Sequence, residues 1–422
     1  MSAQGNEVRV LQLTLHRRLV GYLAGYQSGR NRLTFAEAFR TDPERPTLSL
    51  ITHPAFPQAQ TIMSTPWIRT QKLPPLLSNL LPEGALRELL AQRLKVHTDN
   101  EFQLLAHLGN DLPGALVATP IAPEQVPQEL LNHYPKSRPV AFAEKPSANR
   151  FSLAGVQIKF SAKVTDERYN LTTEGELGDW IVKTPSTTHP DVPLNEYTAM
   201  RLAQLAGVTI PEIKLVDIRQ LDNLPPINLP DEQQAFAIKR FDRDNGSRVH
   251  MEDFAQVFAK DALEKYDAAN YEQIGRIVRQ YSGDGLADVQ QLARRLLANI
   301  LLGNGDAHLK NWSLLYADQK TPRLSPAYDI VTTLAYMEGE QEFSLNLAGN
   351  KNWYRVTFNH FERWAEALNL PWRPIKAHLT DTLEKARALW PTALHELPMA
   401  PAHKVLLKQH WRTLAKDFQI IP

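Results

Sequence analysis

A stripe of apolar residues at helical spacing, Val289, Leu292, Leu296, Leu297, Ile300 and Leu301, runs directly into Gly303-Asn-Gly-Asp-Ala-His-Leu-Lys-Asn311. A helix with such a face has to be buried against other elements, so the polar loop after it starts from a fixed point. That loop sets Asp306 five residues ahead of Asn311, and a further acid follows in Tyr328-Asp329. Whatever the rest of the chain builds, it has to present this loop.

With 422 residues the chain exceeds one ordinary core, and two or three structural units are expected. A net charge of +1 gives no electrostatic reason for direct binding to nucleic acid or to an acidic membrane. The absence of cysteine excludes disulfides, thiolate metal sites and cysteine nucleophiles. The polar start has no signal-peptide pattern and no apolar run is long enough to span a bilayer, so a cytoplasmic location is expected.

Residues 8–15, 20–26, 33–39 and 47–51 read as short strands, 73–81, 85–95 and 101–108 as helices, and 114–119 as a returning strand. Residues 1–119 are therefore expected to form an α+β subdomain. Six prolines between 120 and 149 suit a linker or surface wrap better than a packed element. Residues 150–240 read as mostly β with one helix, running from Leu194 to Ala206 and stopped by Gly207. From 241 to 422 the pattern turns helical, with later helices at 358–368, 374–389 and 402–418. The expected class is α+β, ending in an all-α C-terminal lobe that carries the loop.

Phosphoryl transfer asks little covalent chemistry of a protein. It needs a base or positioning group at the acceptor hydroxyl, ligands for a metal ion, and cations on the phosphates. An Asp, an Asn five residues on, and a later Asp is the catalytic arrangement of protein kinases. Asp306 is then the candidate base. The amide oxygen of Asn311 and the carboxylate of Asp329 are candidate Mg²⁺ ligands, because hard cations prefer oxygen donors. Taken singly, Asn-Gly-Asp is as readily a turn and Asp329 a helix cap; the ordered set is what points to a site. Lys310 either reaches a γ-phosphate or is a solvated surface lysine. His308 reads better as a hydrogen-bonded structural histidine than as a nucleotide contact, and Tyr328 is a candidate contact beside Asp329. Gly-Asp-x-His also opens the metal motif of metallophosphoesterases, but their later Gly-Asp and Gly-Asn-His motifs do not follow residue 313.

Upstream, Lys183 ends the strand-like Trp-Ile-Val-Lys, where a kinase lysine meets the α- and β-phosphates. Glu196 opens the next helix, either to pair with that lysine or as a favourable charge at a helix N-terminus. Ser152-Leu-Ala-Gly-Val-Gln-Ile-Lys159 holds one glycine only, and its position ahead of the lysine strand makes it a candidate phosphate loop. Lys239-Arg-Phe-Asp242 lies where strands give way to helices, so a hinge there would offer backbone groups to adenine and a carboxylate to ribose.

These motifs, with Asn195-Glu-Tyr197, Arg240-Phe-Asp-Arg243, Ser325-Pro-Ala-Tyr-Asp329, and, nearer the start, Asn79-Leu-Leu-Pro-Glu83 and Leu104-Leu-Ala-His-Leu-Gly109, resemble those of the HipA family, kinase toxins of bacterial toxin–antitoxin pairs. The resemblance covers nearly the whole chain. It implies a protein-kinase-like (PI3/4-kinase-like) two-lobed core: an N-terminal subdomain at 1–119, a linker at 120–149, an N-lobe at 150–240 and a helical C-lobe at 241–422. It implies Asp306 and Lys310 as catalytic residues, and Asn311 and Asp329 as the metal site. By the resemblance ATP would be held by Ala154, Gly155, Val156, Gln157, Ile158, Lys159, Lys183, Lys239, Arg240 and Phe241, with Asp242, His308, Asn311 and Tyr328 as further candidate contacts. Lys239 stands where the best-known member has an acidic residue, a change that backbone contacts to adenine survive. Ser152 would be an autophosphorylated serine whose phosphate cannot share the pocket with those of ATP. Also implied are Mg²⁺, a helix-turn-helix antitoxin partner (HipB-like) carrying the DNA contacts, and a protein substrate of the aminoacyl-tRNA synthetase class. The competing reading is an inactive kinase fold kept as partner of a DNA-binding protein.

Overall fold

Alternation in the first strand changes phase part-way along, and the structure shows why. This is a computed structural model that describes residues 7–132, 137–142, 158–172, 177–225, 227–266 and 268–421. Strand β1 (Glu7–Leu15) buries Val8 and Val10 with Leu130 on one side, and Leu11, Leu13 and Leu15 on the other. Both faces of the sheet are therefore covered. With β2 (Arg18–Tyr26), β3 (Arg30–Phe35), β4 (Trp67–Thr70) and β5 (Leu116–Pro120) it forms an antiparallel sheet in the order β4-β3-β2-β1-β5. β6 (Arg138–Pro139) joins the start of β1 in parallel. The helices Gly84–Leu94 and Glu101–Leu108 pack on the Leu11–Leu15 side.

Several expectations fail here for local reasons. The strand expected at 33–39 stops at Phe35, and Glu37–Thr41 is a helical turn. The strand expected at 47–51 is a 3-10 turn, Leu50–Thr52. Its backbone is satisfied by a side chain instead of a neighbouring strand, the Leu50 N–H donating to Glu252 Oε1 at 2.7 Å. The helix expected at 73–81 covers only Pro75–Ser78, where Pro75 can start a helix but not continue one. The proline-rich stretch is more than a wrap: a short helix, Gln128–Leu131, seals the outer sheet face through Leu130, whose carbonyl accepts from the Tyr26 hydroxyl at 3.0 Å.

The second sheet comprises β7 (Lys159–Thr165), β8 (Arg168–Leu171), β9 (Trp180–Lys183), β10 (Ile213–Asp217), β11 (Leu221–Asp222) and β12 (Gln234–Lys239), in the order β10-β12-β9-β7-β8-β11. The helix Val192–Leu205 packs against it and joins the large core through Ala199, Met200, Leu202 and Ala203. The hairpin β13 (Arg243–Asp244)–β14 (Ser247–Arg248) then leads into the last region.

That last region is not all-α. β15 (His250–Asp253), β16 (Ser313–Tyr316) and β17 (Arg323–Leu324) form a three-stranded sheet, and β18 (Glu342–Leu347) pairs with β19 (Asn350–Asn352). The expectation failed because these strands are short and follow helices with much stronger periodicity. The helices Tyr271–Tyr281, Gly285–Leu301, Phe358–Ala367, Trp372–Glu396 and Pro401–Thr413 enclose a core with five fully buried tryptophans. Trp312, Trp364, Trp390 and Trp411 each donate the indole N–H to a backbone carbonyl, the means by which a large ring with one polar atom is buried. No described helix is long and apolar enough to cross a membrane.

Candidate active site

The Gly285–Leu301 helix is capped at its start by the Asp284 carboxylate, which accepts from the Ala287 N–H. Its end needs acceptors satisfied, and the last helix supplies donors: His410 Nε2 lies 2.8 Å from the Ile300 carbonyl and Trp411 donates to that of Leu301 at 2.9 Å. Gly303 then takes a positive φ of 59°, where a Cβ would also collide with Leu334. Asn304 anchors the turn, its side-chain nitrogen donating to Asn299 Oδ1 at 2.7 Å and its side-chain Oδ1 accepting from the Asp306 N–H at 3.1 Å.

Asp306 itself is half exposed, its Oδ1 accepting from the Tyr266 hydroxyl at 2.9 Å. Asn311 is buried, and its amide nitrogen donates to the Asp306 carbonyl at 2.6 Å, which leaves the amide oxygen outside that bond. His308 is buried edge-on against Tyr266, with Nδ1 taking the Lys310 N–H at 3.3 Å. Burial pushes its imidazole down to about 4, so it is neutral at physiological pH. These contacts are those of a hydrogen-bonded, buried imidazole. Among the described residues no group of three or more His, Asp and Glu side chains could hold a metal ion, whereas a two-metal phosphoesterase requires one.

Asp329 meets two lysines. Its Oδ1 contacts Lys183 Nζ and its Oδ2 accepts from Lys159 Nζ at 3.0 Å. Lys183 in turn contacts Glu196, so strand β9 and the following helix are joined at a buried ion pair. Burial alone would raise the Asp329 carboxyl, but Lys159 and Lys183 hold it well below the usual carboxylate range. Burial likewise opposes charge on Lys183, and the two carboxylates overcome it, keeping the ammonium protonated. Asp329 also has a left-handed backbone, φ 52°, a conformation that costs a residue with a side chain of order 1–3 kcal/mol and that clusters at functional sites.

Neighbouring motif residues fix this segment. Asn195 makes a two-point bond to Thr332, donating to its carbonyl at 3.0 Å and accepting from its N–H at 2.9 Å. The Tyr328 hydroxyl donates to the Lys310 carbonyl at 2.8 Å, and its ring lies 5.6 Å from that of Phe241. Thus Tyr328 touches both the loop that carries Asp306 and Asn311 and the segment at Phe241.

A cavity of about 570 Å³ opens beside these groups, a size ordinary for a small-molecule site. Its walls include Lys159, Lys183, Lys239, Arg240, Phe241, Asp242, Lys310, Tyr328 and Asp329, with Ile181 and Ile238 as apolar surface. Asp306, His308 and Asn311 are not among its lining residues. Ile158 is buried, and its carbonyl accepts from the Thr184 N–H at 3.0 Å. Ser152, Ala154, Gly155, Val156 and Gln157 lie outside the described residues.

One nominated side chain is placed otherwise. Asp242, expected to offer a carboxylate to ribose, is buried and committed to Arg240 (2.9 and 2.7 Å), to Arg243 (2.7 Å) and to the Gly114 N–H (2.8 Å). Burial would raise its carboxyl, but Arg240 and Arg243 bring it down to about 2. With Asp111 contacting both arginines, this cluster joins the first sheet's unit to the Arg240–Arg243 segment. Spacing along the chain could not show its long-range half, because Asp111 and Gly114 lie about 130 residues from Arg240-Phe-Asp-Arg243. Sequence reasoning also gave no role to Glu83, which bonds Lys310 and Lys265, although it had singled out the motif containing it.

Comparison with known proteins agrees with the geometry. A family profile described as the HipA-like C-terminal domain matches residues 151–390, and one described as the HipA N-terminal domain matches residues 11–119. Y4dM of Sinorhizobium fredii, which carries a kinase name, is 41% identical over 397 residues, 93% of this chain and 94% of that protein. The serine/threonine-protein kinase toxin HipA of Shewanella oneidensis is 25% identical over 387 residues, 85% of this chain and 86% of its own. The chain belongs to the HipA family. Its fold is similar to that of a solved structure of the Shewanella oneidensis HipA, HipB and operator DNA complex, with a TM-score of 0.70 at 21% identity, covering 96% of this chain and 97% of that one.

Proposed function

We propose that the protein is an ATP- and Mg²⁺-dependent serine/threonine protein kinase of the HipA toxin type, built on a two-lobed kinase-like core. The observation that carries this reading is the Lys183 ammonium shared between Glu196 and Asp329 at the wall of the cavity. A strand lysine fixed by a helix glutamate and facing a metal-binding Asp is the part of a kinase site hardest to assemble by chance.

In this reading the adenine lies against Ile181 and Ile238 and meets backbone groups near Lys239 and Phe241. Lys159 and Lys183 face the phosphates. Asp329 and the Asn311 amide oxygen suit Mg²⁺ as hard oxygen donors, one ionised and one neutral. Lys159, half exposed, is the partner whose displacement would free Asp329 Oδ2 to help hold the cation. Mg²⁺ there would neutralise charge on the transferring phosphoryl group. Asp306 accepts the proton of the acceptor hydroxyl as its oxygen bonds to phosphorus and the bond to the leaving ADP oxygen breaks. Tyr266 holds the Asp306 carboxylate toward that position.

Autophosphorylation at Ser152 and a HipB-like helix-turn-helix antitoxin belong to the same proposal, the latter supported by the complex formed by the Shewanella protein. An inactive kinase fold is less favoured, because Asp306, Asn311 and Asp329 are all present. Thermal unfolding with and without Mg-ATP tests the reading. Nucleotide at 100 times its Kd should add about 2.7 kcal/mol, and no upward shift contradicts it.

A further inference from the structure

Glu83 immediately precedes the Gly84–Leu94 helix, far in sequence from the catalytic loop, yet it makes the loop's most direct charge contact. One carboxylate oxygen accepts from Lys310 Nζ at 2.6 Å and the other from Lys265 Nζ at 2.7 Å. Lys310 donates again to the Asn79 carbonyl at 3.1 Å. Both lysine side chains are about 15% exposed, so this is no loose surface pair. Lys265 also lies 5.3 Å from the centre of the Tyr266 ring, and the hydroxyl of that ring is the group bonded to Asp306.

An ammonium has three N–H donors. Two of those on Lys310 are taken by Glu83 and Asn79, and Lys310 stands in the cavity wall, so the third is directed by its two fixed neighbours. Without Glu83, two ammonium groups that share one carboxylate would lose the counter-charge that both of them contact. We infer that Glu83 is a positioning residue of the phosphoryl-transfer site, aiming the Lys310 ammonium at the terminal phosphate of a bound nucleoside triphosphate. The inference rests on the kinase reading. Burial would raise the Glu83 carboxyl, but Lys310 and Lys265 bring it down to about 2, so its charge persists across the working pH range. The Asn79-Leu-Leu-Pro-Glu83 turn thereby supplies, from outside the kinase-like core, the group that orders a catalytic-loop lysine.

The test compares Mg-ATP and Mg-ADP binding by calorimetry in the full-length protein, for wild type, Glu83→Gln, Lys310→Met and the double variant. Because binding needs no turnover, failure of catalysis does not obscure it. Glu83→Gln should weaken ATP about tenfold, equivalent to about 1.4 kcal/mol, and leave ADP nearly unchanged. On the Lys310→Met background it should add nothing, since it acts through that lysine. Glu83→Asp, which keeps the charge on a shorter arm, should lose ATP affinity to an intermediate degree and serves as the comparison should Glu83→Gln fail to fold. An unchanged ATP-over-ADP preference, equal loss of both nucleotides, or the same loss with and without Lys310 overturns the inference alone. A wild type that binds neither nucleotide overturns the kinase reading and this inference with it.

Discussion

The side-chain amide of Asn311 donates to the backbone carbonyl of Asp306 at 2.6 Å, closing the loop between the proposed base and the proposed metal ligand. The bond fixes the spacing of the two residues along the loop. Asn311→Asp keeps an oxygen ligand but removes the donor and sets a carboxylate against a carbonyl. We expect kcat to fall about 100-fold, as misplacement of reacting groups by an ångström can cause, with about 1–3 kcal/mol lost in urea unfolding. Steady-state kinetics and denaturation of the same preparation check both.

Asp242 gives a prediction of opposite kind. Its carboxylate is the shared partner of the buried Arg240 and Arg243 guanidinium groups. Asp242→Asn leaves two buried cations with only Asp111 between them, a defect expected to cost about 3–5 kcal/mol. If its carboxylate instead served ribose, the variant would lose nucleotide affinity without losing stability. Urea denaturation alongside ATP titration distinguishes the two.

A pH effect follows from Glu252. It is fully buried, and burial pushes its carboxyl up to about 7, while hydrogen bonds from Ser49 (2.6 Å), Leu50 (2.7 Å) and Tyr316 offset part of that rise. The folded state thus holds this proton more tightly than the unfolded chain, whose ordinary value is 4.5. Its contribution is full below pH 4.5, declines as pH rises, and is lost above about pH 7, a change of about 3 kcal/mol. Glu252→Gln should flatten that dependence, so the variant gains on wild type between pH 5 and pH 9 in denaturant midpoints. Parallel pH profiles contradict this assignment.

The parts legible in the sequence were those with strong local periodicity or strict spacing. The stripe from Val289 to Leu301 gave its helix, and the distance from Asp306 to Asn311 gave a loop whose ends are bonded in the structure. The short apolar run that ends in Lys183, and the helix that opens with Glu196, foreshadowed the contact between those two residues. What the sequence hid was set by distant partners. Residues 47–51 look like a strand, yet the acceptor for the Leu50 N–H is a glutamate 202 residues away. Asp242 looks free beside a hinge, yet Gly114, 128 residues upstream, closes its carboxylate. Strands β15, β16, β17 and β19 carry too few residues to show a period of two, and β18, buried at Phe343, Ser344 and Leu345 in succession, does not alternate cleanly.

The most direct test of the kinase reading is phosphate transfer from radiolabelled Mg-ATP by wild type, Asp306→Asn and Asp329→Asn, with folding checked by thermal unfolding. Wild type should label protein, whether itself or an added substrate. Asp306→Asn should remain folded, because its carboxylate is half exposed with one hydrogen-bond partner, and lose about 10²–10⁴-fold in rate, as removal of a general base does. Asp329→Asn should abolish labelling. Transfer at the wild-type rate in both folded variants would contradict the assignment of this loop as the site of phosphoryl transfer.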